Sequence, residues 1–134
     1  MAVSAAWTTR VTLPHSPYPE TAVEARLRFD STEPYAVCLV FPPLRAEDDP
    51  VEWWFARDLL NEGRHAPAGQ GDVVVAPGPD ATVHVTLRSR TGQAVISIPG
   101  DAVTGFLLDS FALVPAGTEA DHLDLDAGLA RLCG

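Results

Sequence analysis

Ala22-Val23-Glu24-Ala25-Arg26-Leu27-Arg28-Phe29 decides the fold class. Val23, Ala25, Leu27 and Phe29 alternate with Glu24, Arg26 and Arg28, the two-residue period of a strand with one buried and one wet face. Asp30-Ser31-Thr32-Glu33-Pro34 then supplies turn chemistry. Tyr35 to Phe41 follows as an almost wholly apolar run, which predicts a second strand covered on both faces. Beyond an acidic loop, Pro42 to Pro50, Val51, Trp53 and Phe55 alternate with Glu52, Trp54 and Ala56. Arg57 to Glu62 has helical composition and Gly63 suits a C-terminal cap, so this segment reads as a strand running into a short helix.

The second half repeats the logic. Gly69-Gln70-Gly71-Asp72 leads into Val73-Val74-Val75, Pro77-Gly78-Pro79-Asp80 ends that strand, and Val83, Val85 and Leu87 alternate with His84, Thr86 and Arg88. Thr91-Gly92 turns the chain into Ala94 to Ile98. Asp101 is the expected N-cap of an amphipathic helix whose Val103, Phe106, Leu107, Ser110, Phe111 and Val114 form one stripe, and Pro115 stops it. Leu125, Leu129 and Leu132 mark a closing helix that Asp124 or Asp126 caps. Three or four strands and a helix, three more strands and a longer helix, then a C-terminal helix predict an α+β domain with mainly antiparallel, twisted sheets. At 134 residues, the expectation is a single domain over 1–134.

Charge and composition narrow the function. All nine basic residues are arginines, and 18 acids leave a net charge of −9. Nucleic-acid binders draw their non-specific affinity from clustered cations, so nucleic acid is a poor default partner, and anionic membranes are disfavoured in the same way. No stretch approaches the ~20 apolar residues of a membrane span, and Met1 to Trp7 lacks the charged start of a signal peptide. A cytoplasmic protein with two reduced thiols, Cys38 and Cys133, is expected.

Chemistry-bearing motifs are sparse. The glycines before Val73 open a strand rather than a helix, so they do not build a phosphate cradle. Glu47, Asp48 and Asp49 have no second ligand group at fixed spacing, and His15, His65, His84 and His122 share none; neither set predicts a metal. Cys38 lies in a run apolar on both faces, where burial raises a thiol pKa and blunts the nucleophile. No catalytic residue, cofactor or metal is expected. Trp54 stands out: with Trp53 on the core face, Trp54 points the other way and needs a helix, a second subunit or a partner to cover it. Arg57 and Asp58 read as structural pairs at the start of the short helix.

Phe29-Asp30-Ser31-Thr32-Glu33-Pro34-Tyr35-Ala36-Val37, then Val51 to Gly63, Gly71-Asp72-Val73, Pro115-Ala116-Gly117-Thr118-Glu119 and His122-Leu123-Asp124-Leu125-Asp126, resemble the SsgA-like proteins, actinomycete regulators of sporulation and cell division. The resemblance covers roughly residues 20 to 134. The chain departs from the family pattern at Trp54, around Cys38 and in a longer Pro42 to Pro50 loop. The resemblance implies a fold similar to the whirly-type single-strand nucleic-acid-binding proteins and a homo-oligomer, with a trimer as the family pattern. It also implies a non-enzymatic adaptor, recruited to division septa, that localises or activates septum and cell-wall machinery. The partners it implies are FtsZ or another SsgA-like protein.

Trp54, Arg26 and Arg28 are therefore the candidate oligomer or partner surface. The alternative is a single-stranded nucleic-acid-binding module, which would require Arg10, Arg26, Arg28, Arg88 and Arg90 to share one wet face with aromatics for stacking.

Overall fold

A computed structural model of the chain describes residues 2–43 and 45–123. Four antiparallel strands, β1 (Ser4–Val11), β2 (Val23–Asp30), β3 (Ala36–Phe41) and β4 (Val51–Ala56), form one sheet in chain order. Helix α1 (Arg57–Gly63) leads to a second antiparallel sheet of β5 (Val73–Pro77), β6 (Thr82–Ser89) and β7 (Gly92–Pro99), after which α2 spans Gly100–Leu113. A 3-10 turn, Glu119–His122, follows. The α+β class with antiparallel sheets is thus the observed one. The C-terminal helix expected around Leu125, Leu129 and Leu132, with its Asp124 or Asp126 cap, lies outside the described residues.

The two sheets meet edge to edge. Just past β1, Thr12 and Ser97 of β7 exchange both backbone hydrogen bonds, at 3.1 and 2.8 Å. Helix α2 packs on β1, β2, β6 and β7, and seals the core with Val103, Phe106 and Leu107 against Leu27, Phe29, Val85 and Ile98. All of these side chains are buried, and burying each contributes roughly 1.5–3 kcal/mol.

Alternation in β2 holds from Ala25 on, with Ala25, Leu27 and Phe29 buried and Glu24 and Arg26 exposed, but Val23, expected on the buried face, is exposed at the start of the strand. The turn after it is closed by Asp30, whose Oδ1 accepts from the backbone N–H of Thr32 at 2.9 Å and from its hydroxyl at 2.8 Å. That pairing with the Thr32 N–H and hydroxyl holds the Asp30 carboxyl below its ordinary 3.8.

Two local expectations are corrected. Asp101 is not the N-cap of α2; that position is Pro99, and Asp101 sits inside the first turn, where its charge faces the positive end of the helix. Nor does Gly63 lie past the end of α1. It is the last helical residue, and a Cβ there would stand 2.8 Å from the Val75 carbonyl oxygen and collide with the Val75 side chain. Close approach of α1 to β5 explains this glycine, not a left-handed cap.

Arg57 opens α1 and is 1% exposed, a full charge inside the core. Its guanidinium lies between the rings of Phe29 and Phe111, at 4.9 and 4.2 Å from their centroids, so aromatic faces take the place of water on both sides.

Candidate partner surface

Register places the exposed positions of the four-stranded sheet in rows. Arg28 stands opposite Ala6 on β1 and Cys38 on β3, and Cys38 stands opposite Trp54 on β4. Arg26 is flanked by Thr8 and Val40, and Val40 by Glu52. Arg10, opposite Glu24, shares this face because strand neighbours in register point the same way. Helix α2 covers the opposite, apolar face.

Trp54 is 46% exposed. Arg28 reaches across from β2, its guanidinium 5.5 Å from the Trp54 ring centroid and its Nη2 3.4 Å from Oε1 of Glu52. At half-exposed positions such an ion pair contributes about 0–1 kcal/mol. Its effect is rather to hold the indole in place. The structure therefore brings the candidate residues Trp54 and Arg28 into contact, and sets Arg26 on the same face one row away.

Beneath that pair lies Cys38, with no exposed surface. The cover that the apolar β3 run requires on this side comes from Arg28 and Trp54 themselves, not from a further layer. Burial pushes the thiol above its ordinary 9.0, opposed in part by the Arg28 charge, so Cys38 is a protonated packing residue at neutral pH. Among the described residues no group of three His, Cys, Asp or Glu side chains is placed to hold a metal. No helix among them is long and apolar enough to cross a membrane.

The arginines considered together for nucleic acid come from both sheets and a turn. Arg10, Arg26 and Arg28 lie on the four-stranded sheet, Arg88 on β6 of the other sheet, and Arg90 in the β6–β7 turn. Trp54 is the one aromatic among the strand residues of the outer face, and Arg28 already occupies one of its sides. Among the described strand residues of this face, one aromatic gives no support to a stacking platform for successive bases.

A second exposed region was not foreseen from the sequence. Val51 and Trp53 have the parity of buried Phe55, yet Val51 is 54% exposed because α2 does not extend over this end of the sheet. Phe41, Val51 and Trp53 face Leu87, Ala94 and Ile96 across a cleft of about 950 Å³. The signal was present in the apolar alternation of β4; what alternation cannot tell is where the covering element stops.

The SsgA family, described as Streptomyces sporulation and cell division protein, matches residues 23–119, which include the turn at Asp30, the whole β3–β4–α1 unit and Glu119. The chain belongs to the SsgA family. Among SsgA-family relatives, the sporulation-specific cell division protein SsgB of Kineococcus radiotolerans is 47% identical over 119 residues, covering 85% of this chain and 70% of that protein. SsgB of Streptomyces coelicolor is 43% identical over 113 residues, 82% of this chain and 81% of that one.

Two solved structures have the same fold. One, from work titled as correlating mutations in SsgB with longitudinal cell division during sporulation of Streptomyces coelicolor, superposes with a TM-score of 0.81 at 40% identity over 91% of this chain and 97% of that one. An SsgA-like sporulation-specific cell division protein from Thermobifida fusca gives 0.79 at 35% identity over 97% and 96%. The relatives of this SsgA-family chain are thus sporulation-specific cell division proteins.

Proposed function

We propose that this SsgA-family chain is a non-enzymatic adaptor in sporulation-specific cell division. It uses the outer face of its four-stranded sheet to bring septum and cell-wall machinery to division sites, with FtsZ or another SsgA-like protein as the client. One observation carries the reading: Trp54 stands half-exposed on a face that no described element covers, held there by Arg28. Trp54, on the edge strand β4, is met by an arginine from β2 on an open sheet face, and tryptophan and arginine are both enriched among interface hot spots. The face also carries Arg26 and Arg10 together with Glu24, Asp30 and Glu52, a mixed pattern of charges that orients a partner by position rather than by net sign.

The same face can seat a second copy of the chain, and a homo-oligomer belongs to this proposal. The test is capture of purified FtsZ by the wild-type chain and by a Trp54→Ala, Arg28→Ser variant, together with imaging of a fluorescent fusion in sporulating hyphae. Loss of capture in the variant and fluorescence at septa are the expected results. Diffuse fluorescence, or capture indifferent to the variant, counts against the reading.

A further inference from the structure

We infer that the cleft between the β3–β4 and β6–β7 hairpins is a docking groove for a short peptide segment of a partner, one that carries large apolar side chains flanked by Lys or Arg. The inference rests on the adaptor reading and supplies the chemistry of a client segment bound away from Trp54.

The walls of the groove are apolar. Phe41, Val51 and Trp53 come from one sheet, Leu87, Ala94 and Ile96 from the other, and the volume of about 950 Å³ is at the upper end of the roughly 300–1,000 Å³ typical of ligand clefts. Its polar rim has one sign. Glu24, Asp48 and Asp49 line it and no arginine does. The ion pairs among the described residues are Arg28–Glu52 and Arg57–Glu119, and neither engages these three carboxylates. An apolar trench with an unneutralised acidic rim selects an apolar segment bearing positive charge and repels an acidic one. The chain's own residues 124–134 hold Asp124 and Asp126 against a single Arg131, the wrong balance for this rim.

The test uses the full chain and two fluorescein-labelled peptides, one alternating Leu and Phe with Lys and Arg, the other with Glu at every basic position, followed by fluorescence anisotropy. The basic peptide binds saturably and more weakly as salt rises, while the acidic one does not bind. An Asp48→Asn, Asp49→Asn variant weakens binding roughly two- to thirtyfold, the range for two partly exposed ion pairs. Val51→Lys, at an exposed position that leaves the core intact, weakens it more than about tenfold.

Equal binding of both peptides, indifference to Val51→Lys, or binding that begins only after residues 124–134 are removed overturns the inference. So does dissociation of a self-associated chain on addition of the peptide, read by analytical ultracentrifugation, which makes a second copy the occupant. No division protein enters this titration, so failure to capture FtsZ leaves it standing, and Trp54→Ala, which tests the adaptor reading, leaves peptide binding unchanged.

Discussion

Arg57 donates from Nη2 to Oε1 of Glu119 at 3.0 Å, tying the first residue of α1 to the 3-10 turn 62 positions later. Its Nη1 donates to the carbonyls of Ser110 and Val114 at 3.1 and 2.8 Å; the first also accepts the Val114 N–H at 2.9 Å, and the second belongs to the C-cap residue just past α2. One side chain thus joins α1, the end of α2 and the chain leaving it. Removing it takes the cation from the Glu119 carboxylate and a donor from each of two carbonyls, leaving Glu119 with the Gly117 N–H and Ser110 with the Val114 N–H.

Arg57→Met is therefore expected to destabilise the fold by about 3–5 kcal/mol, the cost of leaving one member of a buried pair alone. Arg57→Lys recovers little, because a single ammonium cannot reach three acceptors or lie flat between Phe29 and Phe111. Urea denaturation of both variants checks this. A loss under about 1 kcal/mol would show that the cluster is solvated rather than sealed.

The same cluster predicts a pH dependence. Glu119's own backbone N–H, the Arg57 side chain and the Gly117 N–H, which donates to Oε2 at 2.9 Å, hold its carboxyl below the ordinary 4.5, while burial opposes them. The folded state then binds this proton less readily than the unfolded chain. Stabilisation from Glu119 is complete above the ordinary value and is lost as pH falls through the depressed folded pKa. Glu119→Gln should flatten, without abolishing, the acid limb of stability measured by urea midpoints between about pH 6 and pH 3, because Asp30 contributes in the same direction.

Gly63→Ala is the sharpest probe of α1 against β5. Its backbone can accept a side chain, but the space cannot, since the added Cβ meets the side chain and carbonyl of Val75. Overpacking of this kind costs about 1–3 kcal/mol. A variant as stable as the wild type would mean that α1 shifts freely on β5.

These features divide by the range over which their causes act. Strand alternation in β2, the Asp30 turn, the β6–β7 hairpin and the apolar stripe of α2 are local patterns, and each is legible in the sequence. β1 is hardly legible: its inward residues Ala5, Trp7, Thr9 and Val11 include one threonine and one alanine, and its place follows from pairing with β2. Arg57 was readable as a structural residue, yet its partner Glu119 is remote in sequence, so spacing points to Asp58 instead. Trp54 was legible as an outward aromatic because alternation alone sets its direction. The cleft was not, because Val51 and Trp53 have a core pattern and only the extent of α2 reveals that no helix covers them.

Cys38 offers a check on the outer face from beneath. With its thiol buried under Arg28 and Trp54 and its pKa raised, it should resist iodoacetamide in the folded chain and react when the chain is unfolded in urea. Trp54→Ala opens that cover, so native alkylation of Cys38 should accelerate. Unchanged protection in the variant would place the shield elsewhere.

Trp54→Ala is finally the variant that separates fold from function. About half of the indole faces solvent and its polar neighbour Arg28 keeps the Glu52 pair, so the folded chain should lose less than about 1 kcal/mol by urea denaturation. A client or second copy seated on this face would bury the indole completely, and truncating such an anchor costs about 2 kcal/mol or more, close to thirtyfold in affinity. Titration of FtsZ against wild type and variant measures that difference. A large loss of stability with unchanged affinity would make Trp54 a core residue that the sheet leaves half uncovered. Intact folding with lost affinity identifies it as the contact.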